Sequence, residues 1–242
     1  MSYIFVLIVG LIAGVVSGIV GTGSSIMLLP VLVYQFGPKQ AVPIMAIAAV
    51  MANLSRIIVW WREVDWRATA AYSITAVPAA VLGARTLLAL PSHIVDIAIG
   101  GFLIGMIPAR RWLTAHNITL PLWAMMVVGA FAGFLTGIVA STGPMTVPIF
   151  MTFGLVKGAL LGTEAAGSLL VYIAKSLTFR RFDAMPLDVF LNGLIAGSSL
   201  FAGAFVAKRF VLKLDPDSFR LMMDAMMLVA GSFILWNAFT AG

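Results

Sequence analysis

Apolar residues fill this chain in runs long enough to cross a bilayer, one after another from Tyr3 to Phe239, with only a few residues between runs. A helix needs about 17 to 25 such residues to span the hydrocarbon core. Stretches such as Ile94 to Met106 are apolar on every face, which excludes the every-second-residue alternation of a membrane β-barrel. The pattern predicts an all-α polytopic membrane protein with about 8–10 helical segments. In the first half these run Tyr3 to Val20, Ser25 to Phe36, Ala41 to Trp61, Trp66 to Leu88 and Ser92 to Arg110. In the second half they run Pro121 to Ala140, Pro144 to Phe153, Gly158 to Arg180, Pro186 to Phe210 and Asp217 to Phe239. The second segment of each half is too short to span at about 1.5 Å per residue.

The two halves read as homologous repeats, residues 1–118 and 119–242, within one transmembrane domain. Gly10, Gly14, Ser17, Gly18, Ile19 and Val20 fall in register with Gly129, Gly133, Thr136, Gly137, Ile138 and Val139 at an offset of 119. The likeness continues with small gaps through Pro30 and Pro148, Phe36-Gly37 and Phe153-Gly154, and Gly83-Ala84 and Gly203-Ala204. If the first two segments of a half form one broken span, the repeats are parallel. If they fold back as a hairpin, the repeats are inverted.

Basic residues discriminate, because cytoplasmic loops are enriched in Lys and Arg. The inverted arrangement puts ten on one side (Arg56, Arg62, Arg67, Arg110, Arg111, Lys157, Lys208, Arg209, Lys213 and Arg220) against five on the other. The parallel arrangement gives eight against seven and no bias. Inverted repeats with both termini outside the cytoplasm are therefore expected. Trp60, Trp61, Trp66, Trp112 and Trp236 fall near span ends, where aromatic belts sit.

Composition agrees with this and narrows the chemistry. The chain is 62% hydrophobic and only 10% charged, whereas soluble domains carry about 25% charged residues. The formal charge of +6 belongs to span ends and short loops, so it reads as membrane orientation rather than nucleic-acid binding. The first segment has no basic region before it and its glycine motif recurs, so it is expected to be structure rather than a cleaved leader. Cysteine is absent, which excludes disulfides, thiolate metal sites and cysteine nucleophiles. There is no His-Glu-x-x-His pair, and His93 and His116 lie far in sequence from Ser24, Ser25 and Ser141. An enzyme, a metal and a cofactor are all unexpected. Met222, Met223, Met226 and Met227 read as packing, and Asp96 and Asp224 as structural partners of nearby basic residues.

The stretch Gly21-Thr22-Gly23-Ser24-Ser25 should break a helix, and irregular backbone at membrane depth is tolerated only in protein or along a wet cavity. The helix restarting at Ser25 would offer free N–H donors and a positive dipole end, both suited to an anion. The second half repeats the device: Ser141 and Thr142 could cap, Gly143 gives the turn and Pro144 suits the first helical turn. Opposed half-helix N-termini are a recurrent transporter device. The competing account is that these glycines only allow close helix packing.

Arg56 and Lys175 are related by the offset of 119 and would close on the anion from two sides, or else snorkel to the interface. Asn53 and Ser168 are their hydrogen-bonding neighbours or interhelical glue. Glu164 would take up a proton during coupling, or pair with Lys157 on the same helix.

On Gly18-Ile-Val-Gly21-Thr22-Gly23-Ser24-Ser25 with Pro30, Gly137-Ile-Val-Ala-Ser141-Thr142-Gly143-Pro144 with Pro148, the polar loop Arg62-Glu63-Val64-Asp65-Trp66-Arg67, and Gly83-Ala84, the chain resembles the sulfite exporter TauE/SafE family. The resemblance covers essentially the whole chain. It implies a duplicated membrane domain in a bacterial inner membrane and transport of a sulfur-containing or organic anion such as sulfite, a sulfonate or sulfoacetate. The family pattern has a run of glycines where this chain has Thr22, Ser24 and Ser25. The expected partners are thus a small anion, the lipid bilayer, a proton as coupling ion and a second copy of the chain. The alternative reading is an anion channel without alternating access.

Overall fold

The computed structural model describes residues 3–91, 120–139 and 142–208, with scattered positions between 94 and 112 and between 225 and 236. Both fifth segments, Asp96, Asp224 and the Met222–Met227 patch lie largely or wholly outside the described residues. The described elements are all helical: α1 (Tyr3–Val20), α2 (Ser24–Phe36), α3 (Pro38–Trp60), α4 (Trp66–Ala89), α5 (Leu122–Ile138), α6 (Gly143–Thr152), α7 (Lys157–Arg181) and α8 (Leu187–Ala207). Among the described residues, four stretches are long and apolar enough to span, namely Tyr3–Val20, Gln40–Glu63, Trp66–Ala89 and Leu187–Ala207.

Local chemistry sets the boundaries. Gly37, at φ 78°, ends α2 with its N–H on the Val33 carbonyl at 2.9 Å. Asp65 starts α4 by accepting the Arg67 and Ala68 N–H groups at 2.9 and 3.0 Å, which satisfies two donors that the first turn leaves free.

The short helices fold back on the helices before them. The Tyr3 and Phe36 rings lie 6.4 Å apart, so the end of α2 returns to the start of α1. In the second half the Leu120 N–H donates to Thr152 O at 3.0 Å, which returns the end of α6 to the start of α5. Each is a hairpin, not a broken single span.

The centre of the bundle is the antiparallel pair α3 and α7. The start of α7 at Gly158 lies against Trp60 and Glu63 at the end of α3. Lys208, just past α8, donates to Val59 O at 3.3 Å, so α8 also ends there. Arg85 of α4 sits 5.5 Å over the Phe182 ring, so α4 and α7 end together at the other side.

Outside this pair, α1 runs parallel to α8 and α5 parallel to α4 along seams of small residues. Gly14 is so close to α8 that a Cβ would come within 2.6 Å of Leu200 O, and one on Gly18 within 2.6 Å of the Ala207 Cβ. Gly129, Gly133 and Gly137 press in the same way on Tyr72, Ala76 and Ala80 of α4. These are glycines in the membrane-helix packing role. Large apolar side chains such as Ile4, Ile8, Ile74, Leu82, Trp123, Phe131 and Leu187 are exposed and cover the outer surface, as lipid requires.

Replacing Gly14 by valine should lower stability by about 1–3 kcal/mol through overpacking, whereas valine at the exposed Ala70 should be tolerated. Thermal melting of the detergent-solubilised variants distinguishes the two.

Candidate functional site

The two helix breaks are built differently. In the first, Gly21 and Gly23 take left-handed backbone at φ 86° and 108°, which reverses the chain between α1 and α2. In the second, Gly143 is already the first residue of α6 and does not make the turn. Thr142 stands at the N-cap position, but its hydroxyl pairs with the Thr136 hydroxyl of α5 rather than with α6. Pro144 falls in the first helical turn, where its missing N–H is harmless. Ser141 lies outside the described residues.

A cation closes each break. Arg56, only 6% exposed, donates from Nη1 to the Gly21 carbonyl and from Nη2 to the Asn53 side chain. Lys175, fully buried, donates to Thr136 O at 2.7 Å and Val139 O at 2.8 Å. Both positions therefore hold carbonyls at or just beyond the C-terminal end of a broken helix, where positive charge is favoured and no lipid tail could donate.

The two cations differ in what else they touch. Arg56 Nη1 lies 3.0 Å from Glu164 Oε2, an ion pair that joins α3 to α7. Glu164, 2% exposed, accepts through Oε1 from Thr146 Oγ1 at 2.9 Å and Ser168 Oγ at 2.7 Å. Its cationic partner is thus Arg56 of the first half, not the expected Lys157.

Between the breaks lies a cavity with about 20 Å³ open to water centres, room for about one water. It is lined by Gly21, Thr22, Ser24, Ser25, Asn53, Arg56, Gly143, Glu164 and Ser168 among the residues expected from sequence. Gly23 sits in the turn beside it, and Thr142 and Lys175 are not among its lining residues. Among the described residues, Thr22 Oγ1 and Arg56 Nε are buried without hydrogen-bond partners. The N-termini of α2 and α6 both open on this space, through Ser24 and Gly143, which are themselves related by the offset of 119.

Ser17, Ala49, Ala52 and Tyr172 complete the lining, and Thr146 reaches Glu164. Sequence reasoning missed these five, although the repeat held a signal for two of them. Adding 119 to Asn53 gives Tyr172, and Ser17 was already matched to Thr136. Among the described residues no group of three His, Cys, Asp or Glu side chains could hold a metal ion.

Apolar helices around a polar cavity at two hairpin tips define the class as a multi-pass membrane protein. Residues 6–234 match the family described as sulfite exporter TauE/SafE, and the chain belongs to it. No curated protein and no solved structure matches the chain.

Removing one partner of the buried ion pair strands a charge. Arg56→Leu should cost about 3–5 kcal/mol, and adding Glu164→Leu should recover part of that loss. Chemical denaturation of the single and double variants in micelles measures it, and equal stability of both would remove the pair as a structural tie.

Proposed function

We propose that the protein is a secondary transporter of a small organosulfur anion, of the sulfite, sulfonate or sulfoacetate type, held between the N-termini of α2 and α6. The observation that carries this reading is the convergence of both N-termini on one cavity that contains a hydroxyl, Thr22 Oγ1, and a guanidinium N–H, Arg56 Nε, neither of which has a partner among the described residues. Backbone N–H groups and a dipole end favour an anion at a helix start. Helices of 13 and 10 residues entering from opposite sides reach about 20 and 15 Å, so their tips meet near the middle of a core about 30 Å thick.

The anion-holding groups are Thr22, Ser24 and Ser25 with the backbone of Gly21, Gly23 and Gly143, and Arg56 supplies the charge. Thr142 shapes the second tip, while Asn53 and Ser168 position Arg56 and Glu164. Lys175 acts as the cap of α5, which keeps that tip intact. A cavity with room for about one water is too small for a sulfonate, so entry requires the helices to separate. That favours alternating access over an open channel.

The halves are read as inverted repeats. This is supported by the hairpins at both breaks and by α3 and α7, which occupy matching places in the two halves and run antiparallel. The exchange of partners agrees, since α1 packs on α8 as α5 packs on α4. The side holding Arg62, Lys157 and Lys208 would then be cytoplasmic.

Two experiments test these readings. Purified protein in liposomes should take up labelled sulfite or sulfoacetate but not carboxylate controls, without unitary currents, and Thr22→Val with Ser24→Ala should weaken uptake about tenfold or more while insertion is unchanged. Movement of carboxylates alone would remove the substrate assignment. Because the chain has no cysteine, single cysteines report sidedness directly: Arg62→Cys and Lys157→Cys should label from one face and Asp183→Cys from the other. Labelling of Arg62→Cys and Asp183→Cys from the same face would make the repeats parallel.

A further inference from the structure

The Arg56 guanidinium is the cation on the cavity wall, and Glu164 already holds one of its nitrogens at 3.0 Å. An anion entering the cavity meets the same guanidinium. We propose that Arg56 is handed from Glu164 to the anion, and that Glu164 takes up one proton as it lets go. Anion binding and protonation then form a single event. The proposal rests on the reading of the cavity as the anion site and deepens it by naming the coupling ion and the group that carries it.

Charge balance drives the exchange. With the pair formed, Arg56 and Glu164 cancel. A monoanion added beside them leaves two negative groups on one cation in a buried site, where such an excess is far more costly than in water. Among the described residues the surrounding elements offer no second cation to Glu164. From α3 it faces Arg56 alone. The turn before α4 carries exposed Arg62 and Glu63, with Glu63 against Gly158 at the start of α7, and Asp65, whose carboxylate is engaged with the first N–H groups of α4. From α4 come Tyr72, within electrostatic reach, and exposed Arg67. The described α5 and α6 carry no titratable side chain. On α7 itself Tyr172 lines the cavity and Lys175 is held by Thr136 O and Val139 O. A proton on Glu164 is the remaining way to restore neutrality.

The shell around Glu164 suits both of its forms. Thr146 Oγ1 and Ser168 Oγ donate to the carboxylate, and each hydroxyl can turn to accept from the carboxylic acid. No bond to the anion forms or breaks. The proton comes from water on the open side and leaves with the anion when the pair closes again. One proton accompanies each anion, so a monoanion crosses without net charge and a dianion with one negative charge.

The test measures binding of methanesulfonate and sulfoacetate, both of fixed charge in the working pH range, to the purified full chain by titration calorimetry in two buffers of different ionisation enthalpy. Wild type should take up about one proton per methanesulfonate bound, and affinity should fall about tenfold per pH unit wherever that uptake holds. Glu164→Gln should bind with no proton uptake and with affinity flat in pH. Binding by wild type without proton uptake overturns the handover and leaves the carrier reading standing, as does uptake that persists in Glu164→Gln. If neither sulfonate binds wild type, the anion site itself is wrong and the handover falls with it. The wild-type two-buffer comparison decides the matter even if Glu164→Gln fails to fold.

Discussion

Everything in this bundle depends on how the backbone is satisfied where α1 and α5 end at buried hairpin tips. Lipid tails donate no hydrogen bond, so each exposed carbonyl at a helix end costs several kcal/mol unless protein supplies a donor. Arg56 supplies it to Gly21, and Lys175 to Thr136 and Val139. Once the carbonyl ends are capped in this way, the N–H ends of the following helices can be left facing a cavity. The polar interior therefore follows from the capping, and the rest of the packing keeps both tips in place.

That arrangement explains why one half is chemically richer than the other. Arg56 holds both its carbonyl and Glu164 through Nη1 and still has Nη2 for Asn53, as the forked guanidinium allows. The lysine ammonium at the matching place is engaged with two carbonyls. A planar fork on one side and a point charge on the other turn two similar hairpins into an asymmetric site.

Much of this was legible in the sequence, for reasons that differ by residue. The hydrophobic runs gave α1 its bounds and most other helices theirs within a few residues, because lipid imposes a length and an all-round apolar surface. The glycine question resolves by position: Gly10, Gly14 and Gly18 face α8 as packing residues, whereas Gly21 and Gly23 adopt positive φ and make the break. The partner of Glu164 was not legible. Lys157 is two turns away on the same helix, while Arg56 is 108 residues distant, and nothing local states which face of α7 meets α3. Thr142 misled for a similar reason, since its place suggests a cap and only the approach of α5 reveals Thr136 as its partner.

The seam between α1 and α8 also has a consequence for the order in which the protein is made. Tyr3 on α1 donates to Asn192 on α8, a contact 189 residues apart along the chain. During synthesis α1 thus waits for the 189 residues that separate Tyr3 from Asn192 before α8 covers its glycine face. Contacts of such long range close late. In the meantime α1 has to survive on its own hydrophobicity, which accords with its standing as the most apolar of the four spanning stretches at a mean hydropathy of 2.7.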